Sequence, residues 1–144
     1  MPTSSLARKL LIKSGQRVAI FNAPPGYLDH LDLPPGTVVA ADPIDGEFEM
    51  VHLFAHDVAE LDRLAPRAIR FSKPDGLLWI SYPKQSSKRK SDLTRDVGWG
   101  TVHAAGLVGV SLISIDDVWS AMRFRPAERY GSDRQPRAAG GDAV

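Results

Sequence analysis

No cysteine occurs among the 144 residues, which excludes a disulfide framework, a thiolate metal site and a thiol nucleophile. No apolar run approaches the roughly 20 residues of a membrane span, and the opening stretch MPTSSLARKLLIKSG holds no apolar segment of signal-peptide length. A cytoplasmic protein without a membrane partner is the expectation. A Gly-Lys-Ser phosphate loop and a serine nucleophile elbow are also missing. No catalytic residue is assigned on these grounds. His52 and His56 stand four apart, but one falls on a strand and the other at a helix start, so they do not share the helical face that a metal pair needs. No metal site is assigned either.

Bases are scarce in one half of the chain. Between positions 14 and 62 only Arg17 opposes nine acids, whereas positions 63 to 144 carry fourteen bases and eight acids. The split could draw an anion to one side or could simply be two solvated faces, and by itself it is no nucleic-acid footprint. What is present is 43% hydrophobic content, enough over this length for one core. One domain over residues 1–126 is expected. Residues 127–144, rich in Gly, Pro and Arg, are expected to be a disordered tail.

The apolar spacing supplies the elements. Ser4 or Ser5 would cap a short helix carrying Leu6, Leu10 and Leu11, stopped at Gly15. Arg17–Phe21, Thr37–Ala41 and Phe48–Phe54 read as strands, with room for about two helical turns near Tyr27 to Leu31. A helical stripe runs from His56 to Phe71, with a break expected at Pro66. SKPD then reads as a turn feeding a strand over Leu77–Tyr82, whose continuous apolar run suits the centre of a sheet. Ser91 would cap a helix from Asp92 to about Ala105. Leu107–Ile115 and Val118–Arg125 form a terminal hairpin turning at Asp116 and Asp117, where Asp suits the turn backbone. Trp79 and Trp119 lie within strands and are expected in the core. The fold class is α/β: a three-layer sandwich around a mostly parallel, Rossmann-like sheet of about six strands, closed by an antiparallel hairpin.

The stretch GEFEMVHLFAHDVAELDRLAPRAIRFSKPDGLLWISYPK resembles the fourth strand, helix and fifth strand of class I S-adenosylmethionine-dependent methyltransferases, and the terminal hairpin resembles their last two strands. Through IKSGQRVAIFNAPPGY, LLWISYPK, SDLTRDVGW and IDDVWSAMRF, the chain to Pro126 is also similar to a family of small bacterial domains of unknown function. The resemblance implies a trimmed methyltransferase-like sheet, short of one edge strand and one helix. It also implies that a cofactor would be gripped by the turn after the first strand, here Asn22-Ala23-Pro24-Pro25-Gly26, with an acid at the end of the second strand, here Asp42. Two prolines lack N–H donors and one glycine stands where a Gly-x-Gly array would allow close approach. Asn22, Gly26 and Asp42 are therefore read as a degenerate cofactor turn, and no cofactor is expected.

The remaining candidate is YPKQSSKRKSDLTRDVGW, at the carboxyl end of the expected central strand, with Lys84, Lys88, Arg89, Lys90 and Arg95 gathered in it. Lys84, Ser91, Thr94 and Arg95 are candidate contacts for a small anion at the start of the expected helix, although Asp92 there opposes a second negative charge. On that helix Trp99 would fall beside Arg95 and His103, opposite the apolar stripe, as a stacking surface or a contact for a protein partner unless a loop or the tail covers it. Arg123, alternating with Trp119, could reach this loop or snorkel. Two functions stay open: a noncatalytic, ligand-sensing or interaction domain on a degenerate methyltransferase-like fold, or an enzyme on a remodelled site that transfers a group to a small acidic substrate.

Overall fold

The computed structural model describes residues 6–85 and 91–128. The expected caps Ser4 and Ser5, the bases Lys88, Arg89 and Lys90, and tail residues 129–144 lie outside that range. Nine elements are used below: α1 (Leu6–Lys9), β1 (Arg17–Phe21), β2 (Val38–Ala41), β3 (Phe48–Phe54), α2 (Val58–Phe71), β4 (Ser72–Pro83), α3 (Gly100–Ala104), β5 (Leu107–Ser114) and β6 (Trp119–Pro126). The strands form one sheet in the order β2-β1-β3-β4-β6-β5. β2, β1, β3 and β4 are parallel, and β6 runs antiparallel to both β4 and β5. The parallel part, β2-β1-β3-β4, matches the doubly wound order with its outermost strand removed, so the direction of winding reverses between β1 and β3. Among the described residues no helix is long and apolar enough to cross a membrane.

Side chains alternate across the sheet and build two cores. On one face Ala19, Val51, Leu53, Leu78 and Ile80 pack against Leu61, Ala65, Ala68 and Phe71 of α2. On the other, Val18, Ile20, Met50, Phe54, Trp79 and Trp119 pack against Ala7, Leu10, Tyr27 and Leu31. The second layer is thin. Where two helical turns were expected, the chain from β1 to β2 makes a single three-residue 3₁₀ turn at Leu28–His30, and α1 is four residues long. Among the described residues the expected sandwich is thus well covered by helix on one face only. Trp79 and Trp119 are core residues as expected, 1% and 4% exposed, and Trp79 donates its indole N–H to Leu10 O.

Three boundaries differ from expectation. Pro66 does not break α2, which runs unbroken from Val58 to Phe71. It sits on the exposed face, where the carbonyl freed by its missing N–H can be hydrated while the buried stripe continues beneath. SKPD is strand rather than turn, because β4 begins at Ser72 beside Phe48 and re-registers to set Leu77 beside Met50. The expected helix from Asp92 to Ala105 shrinks to α3, with residues 91–99 irregular. Gly98 explains this: its φ is +106°, and a Cβ there would come within 2.7 Å of Val58 Cγ2 and 2.8 Å of Leu93 Cδ1. The backbone leaves helical space so that this segment can press onto α2.

Candidate functional site

The carboxyl ends of β1, β2 and β3 meet where the winding reverses, the crevice in which open α/β sheets take ligands. Asn22 leaves β1 with φ +60° and Asp42 leaves β2 with φ +48°, conformations that Asn and Asp tolerate best among non-glycine residues. The two residues hold each other: the Asn22 N–H donates to Asp42 Oδ1 at 2.9 Å. The Asn22 side-chain amide donates to Phe54 O at 2.9 Å, tying the end of β1 to that of β3. Asp42 therefore serves the sheet's own backbone.

The same economy governs the start of α2. Asp57, the N-cap, accepts from the Glu60 N–H at 2.8 Å. Glu60 reaches back to the His56 N–H and to His56 Nδ1, both at 2.7 Å. Asp92 accepts from the Val58 N–H at 2.9 Å, and the Ser91 hydroxyl donates to His56 O at 2.6 Å. Three carboxylates thus occupy a helix start that could otherwise attract an anion. Burial alone would raise the Glu60 carboxyl, but the bonds from His56, with another from Asn22, bring it below its ordinary value. The His56 ring packs edge-on to Trp119 at 5.1 Å.

After Asn22 the chain turns on Pro24-Pro25-Gly26-Tyr27. The Tyr27 N–H donates to Pro24 O at 3.1 Å and Gly26 has φ +82°, as a type II turn requires with proline then glycine at its centre. The turn lays Tyr27 onto the sheet, where its hydroxyl meets His52 Nδ1 at 3.0 Å. His52 Nε2 meets Ser81 Oγ at 2.7 Å. His52 and Ser81 are fully buried. Burial pushes the His52 imidazole down to about 3, so it is neutral, with one ring nitrogen donating and the other accepting. Burial, then the charge of Asp116, raises the Tyr27 phenol well above its usual value.

The structure disperses the expected anion contacts. Lys84 donates to Ser114 Oγ at 2.7 Å, towards the end of β5. Ser91 faces His56, and its hydroxyl also accepts from the Leu93 N–H. Thr94 closes a local turn with Val97. Arg95 stands exposed with Nε 3.4 Å from Asp96. The helix start that was to supply N–H groups is absent. Trp99 is 3% exposed rather than solvent-facing; its rings lie against Tyr82 and Phe124, and its indole N–H donates to Thr94 O at 2.7 Å. Without the helix, the facial geometry that turned Trp99 outward does not exist. Half-buried Arg123 leaves its buried Nε without a hydrogen-bond partner among the described residues.

Sequence reasoning missed two assemblies. His56 with Glu60 carried a usable signal, since Asp57-x-x-Glu60 is a capping-box pattern. The Tyr27–His52–Ser81 chain joins the turn after β1 to β3 and β4 across 54 positions and left no local trace. Among the described residues no group of three or more His, Asp or Glu could hold a metal ion.

No protein-family model matches the chain, and no curated protein matches it. Solved structures do. A ribosomal protein L11 methylase from Lactobacillus delbrueckii subsp. bulgaricus superposes with a TM-score of 0.53 at 10% identity, over 83% of this chain and 73% of that one. An O-methyltransferase family 2 protein from Planctomyces limnophilus DSM 3776, in complex with apigenin, gives 0.53 at 12% identity over 88% of this chain and 54% of its own. The chain spans about half of the latter's length. At these identities the likeness establishes a methyltransferase-like fold and nothing finer.

Proposed function

We propose that this chain is a noncatalytic, ligand-sensing or interaction domain on a methyltransferase-like fold, with no use for S-adenosylmethionine at the β1 turn. The bond from the Asn22 N–H to Asp42 Oδ1 carries the reading: one oxygen of the acid that the resemblance assigns to a cofactor's hydroxyls is engaged by the backbone at the end of the neighbouring strand. Pro24 and Pro25 remove two N–H donors from the same turn, and the carboxylates at the start of α2 add negative charge beside it. The kinship with small bacterial domains rests on the four motifs quoted above and is part of this reading. Calorimetric titration with S-adenosylmethionine tests it. No saturable heat is expected up to about 1 mM, a binding free energy near −4 kcal/mol; saturation at micromolar concentration would overturn the reading and favour a remodelled enzyme.

A further inference from the structure

Beside the Pro24-Pro25-Gly26 turn lies a cavity of about 440 Å³, within the range of small-molecule sites. Its apolar walls are Leu6, Val118 and the buried aromatics Tyr27 and Trp119. Two of its side chains, Asp116 and His30, present acceptors. Asp116 is held in place by the β5–β6 turn, where Oδ1 accepts from the Val118 and Trp119 N–H groups at 2.8 and 2.9 Å. No described residue bonds its Oδ2. His30 Nδ1 donates to Gly26 O at 2.7 Å, so the neutral ring keeps its proton on Nδ1 and offers Nε2 as an acceptor. Pro24 and Pro25 bring no N–H to the rim, and the Tyr27 hydroxyl is engaged by His52. Asp116 and Tyr27 line the same cavity, and the charge of Asp116 is felt at the phenol.

We infer that this cavity binds an organic ammonium on a compact apolar body, such as an arylalkylamine, with Asp116 Oδ2 and His30 Nε2 receiving the ammonium hydrogens and Tyr27 and Trp119 flanking the body. A carboxylate with a second acceptor near it discriminates by charge: an ammonium is paired, whereas a carboxylate or phosphate of similar shape meets lone pairs and a negative charge. Aromatic walls add an attraction for cations that they do not offer to anions. This assignment deepens the ligand-sensing reading and rests on it.

The test uses the full chain, above the pH range in which imidazoles ordinarily titrate, with phenethylamine and 3-phenylpropionate as matched probes read by amide and indole NMR shifts. Phenethylamine should saturate at millimolar concentration, with shifts at Tyr27, Asp116 and the Trp119 indole, while 3-phenylpropionate should not. Asp116→Asn keeps a side-chain oxygen for the turn but loses the charge, and should weaken phenethylamine about fivefold or more. Equal binding of the two probes, no saturation by phenethylamine, or an affinity unchanged in Asp116→Asn would overturn the assignment; the probe comparison on the wild-type chain decides even if the variant misfolds. A parallel titration with S-adenosylmethionine separates the failures. Saturation there with none by phenethylamine removes both readings, and silence in both removes this assignment alone.

Discussion

The buried imidazole of His52 gives the structure a signature in acid. In the folded chain the ring sits between Tyr27 and Ser81, fully buried, and burial pushes it down to about 3 from an ordinary 6.5. The unfolded ring takes a proton below about pH 6.5, and the folded ring refuses it until near pH 3. Between those limits the unfolded state binds more protons, so stability falls as pH falls. At pH 5, which is 1.5 units below the unfolded ring's ordinary value of 6.5, about 1.4 kcal/mol per unit makes the loss about 2 kcal/mol relative to neutral pH. Urea unfolding across pH 7.5 to 5 would measure it, with His52→Gln as the comparison. The variant should start less stable and lose about 2 kcal/mol less over the window. Glu49, held near 2 first by its hydrogen bond from Lys73, contributes stability above about 4.5 that is lost only as pH falls towards 2, outside this window. Parallel pH profiles for the two chains, or a native His52 ring seen by NMR to charge near pH 6, would refute the argument.

Trp99→Ala should cost about 3 to 5 kcal/mol in urea unfolding, because a fully packed indole between Tyr82 and Phe124 is replaced by a void; a loss under about 1 kcal/mol would return Trp99 to the surface. Gly98→Ala should destabilise by about 2 kcal/mol or more, since its Cβ meets Val58 and Leu93 below 3 Å at a positive φ, and a neutral result would show that the 91–99 segment does not press on α2. Asp92→Ala should remove the cap on the Val58 N–H and cost about 0.5 to 2 kcal/mol, with faster amide exchange confined to the first turn of α2.

Much of the fold was legible because its strands announce themselves. Arg17–Phe21 and Phe48–Phe54 are apolar runs bounded by turn residues, and their observed limits coincide with the expected ones. The terminal hairpin was equally plain, since Asp116 performs the turn chemistry its position suggested. The failures share one cause, in that local pattern was outweighed by distant contacts. Ser91 and Asp92 look like the cap and first turn of their own helix, yet they bond His56 and Val58, more than 30 positions away. Once that segment is bound to α2, Gly98 bends it, Trp99 is carried inward and the helical face drawn for it vanishes. Pro66 was overruled by the buried stripe on the opposite side of α2. The candidate site divides the same way: the donor-poor turn could be read from its prolines, while the Asn22–Asp42 bond and the Tyr27–His52–Ser81 chain exist only after the strands pair.

With Asn22 and Asp42 bonded to each other, the turn after β1 has no use for S-adenosylmethionine, and amide NMR on the full chain titrated with that ligand reads this at the residues concerned. The amides of Asn22, Gly26 and Asp42 should stay unshifted up to about 1 mM ligand. Saturable shifts at those three positions at micromolar concentration would contradict it.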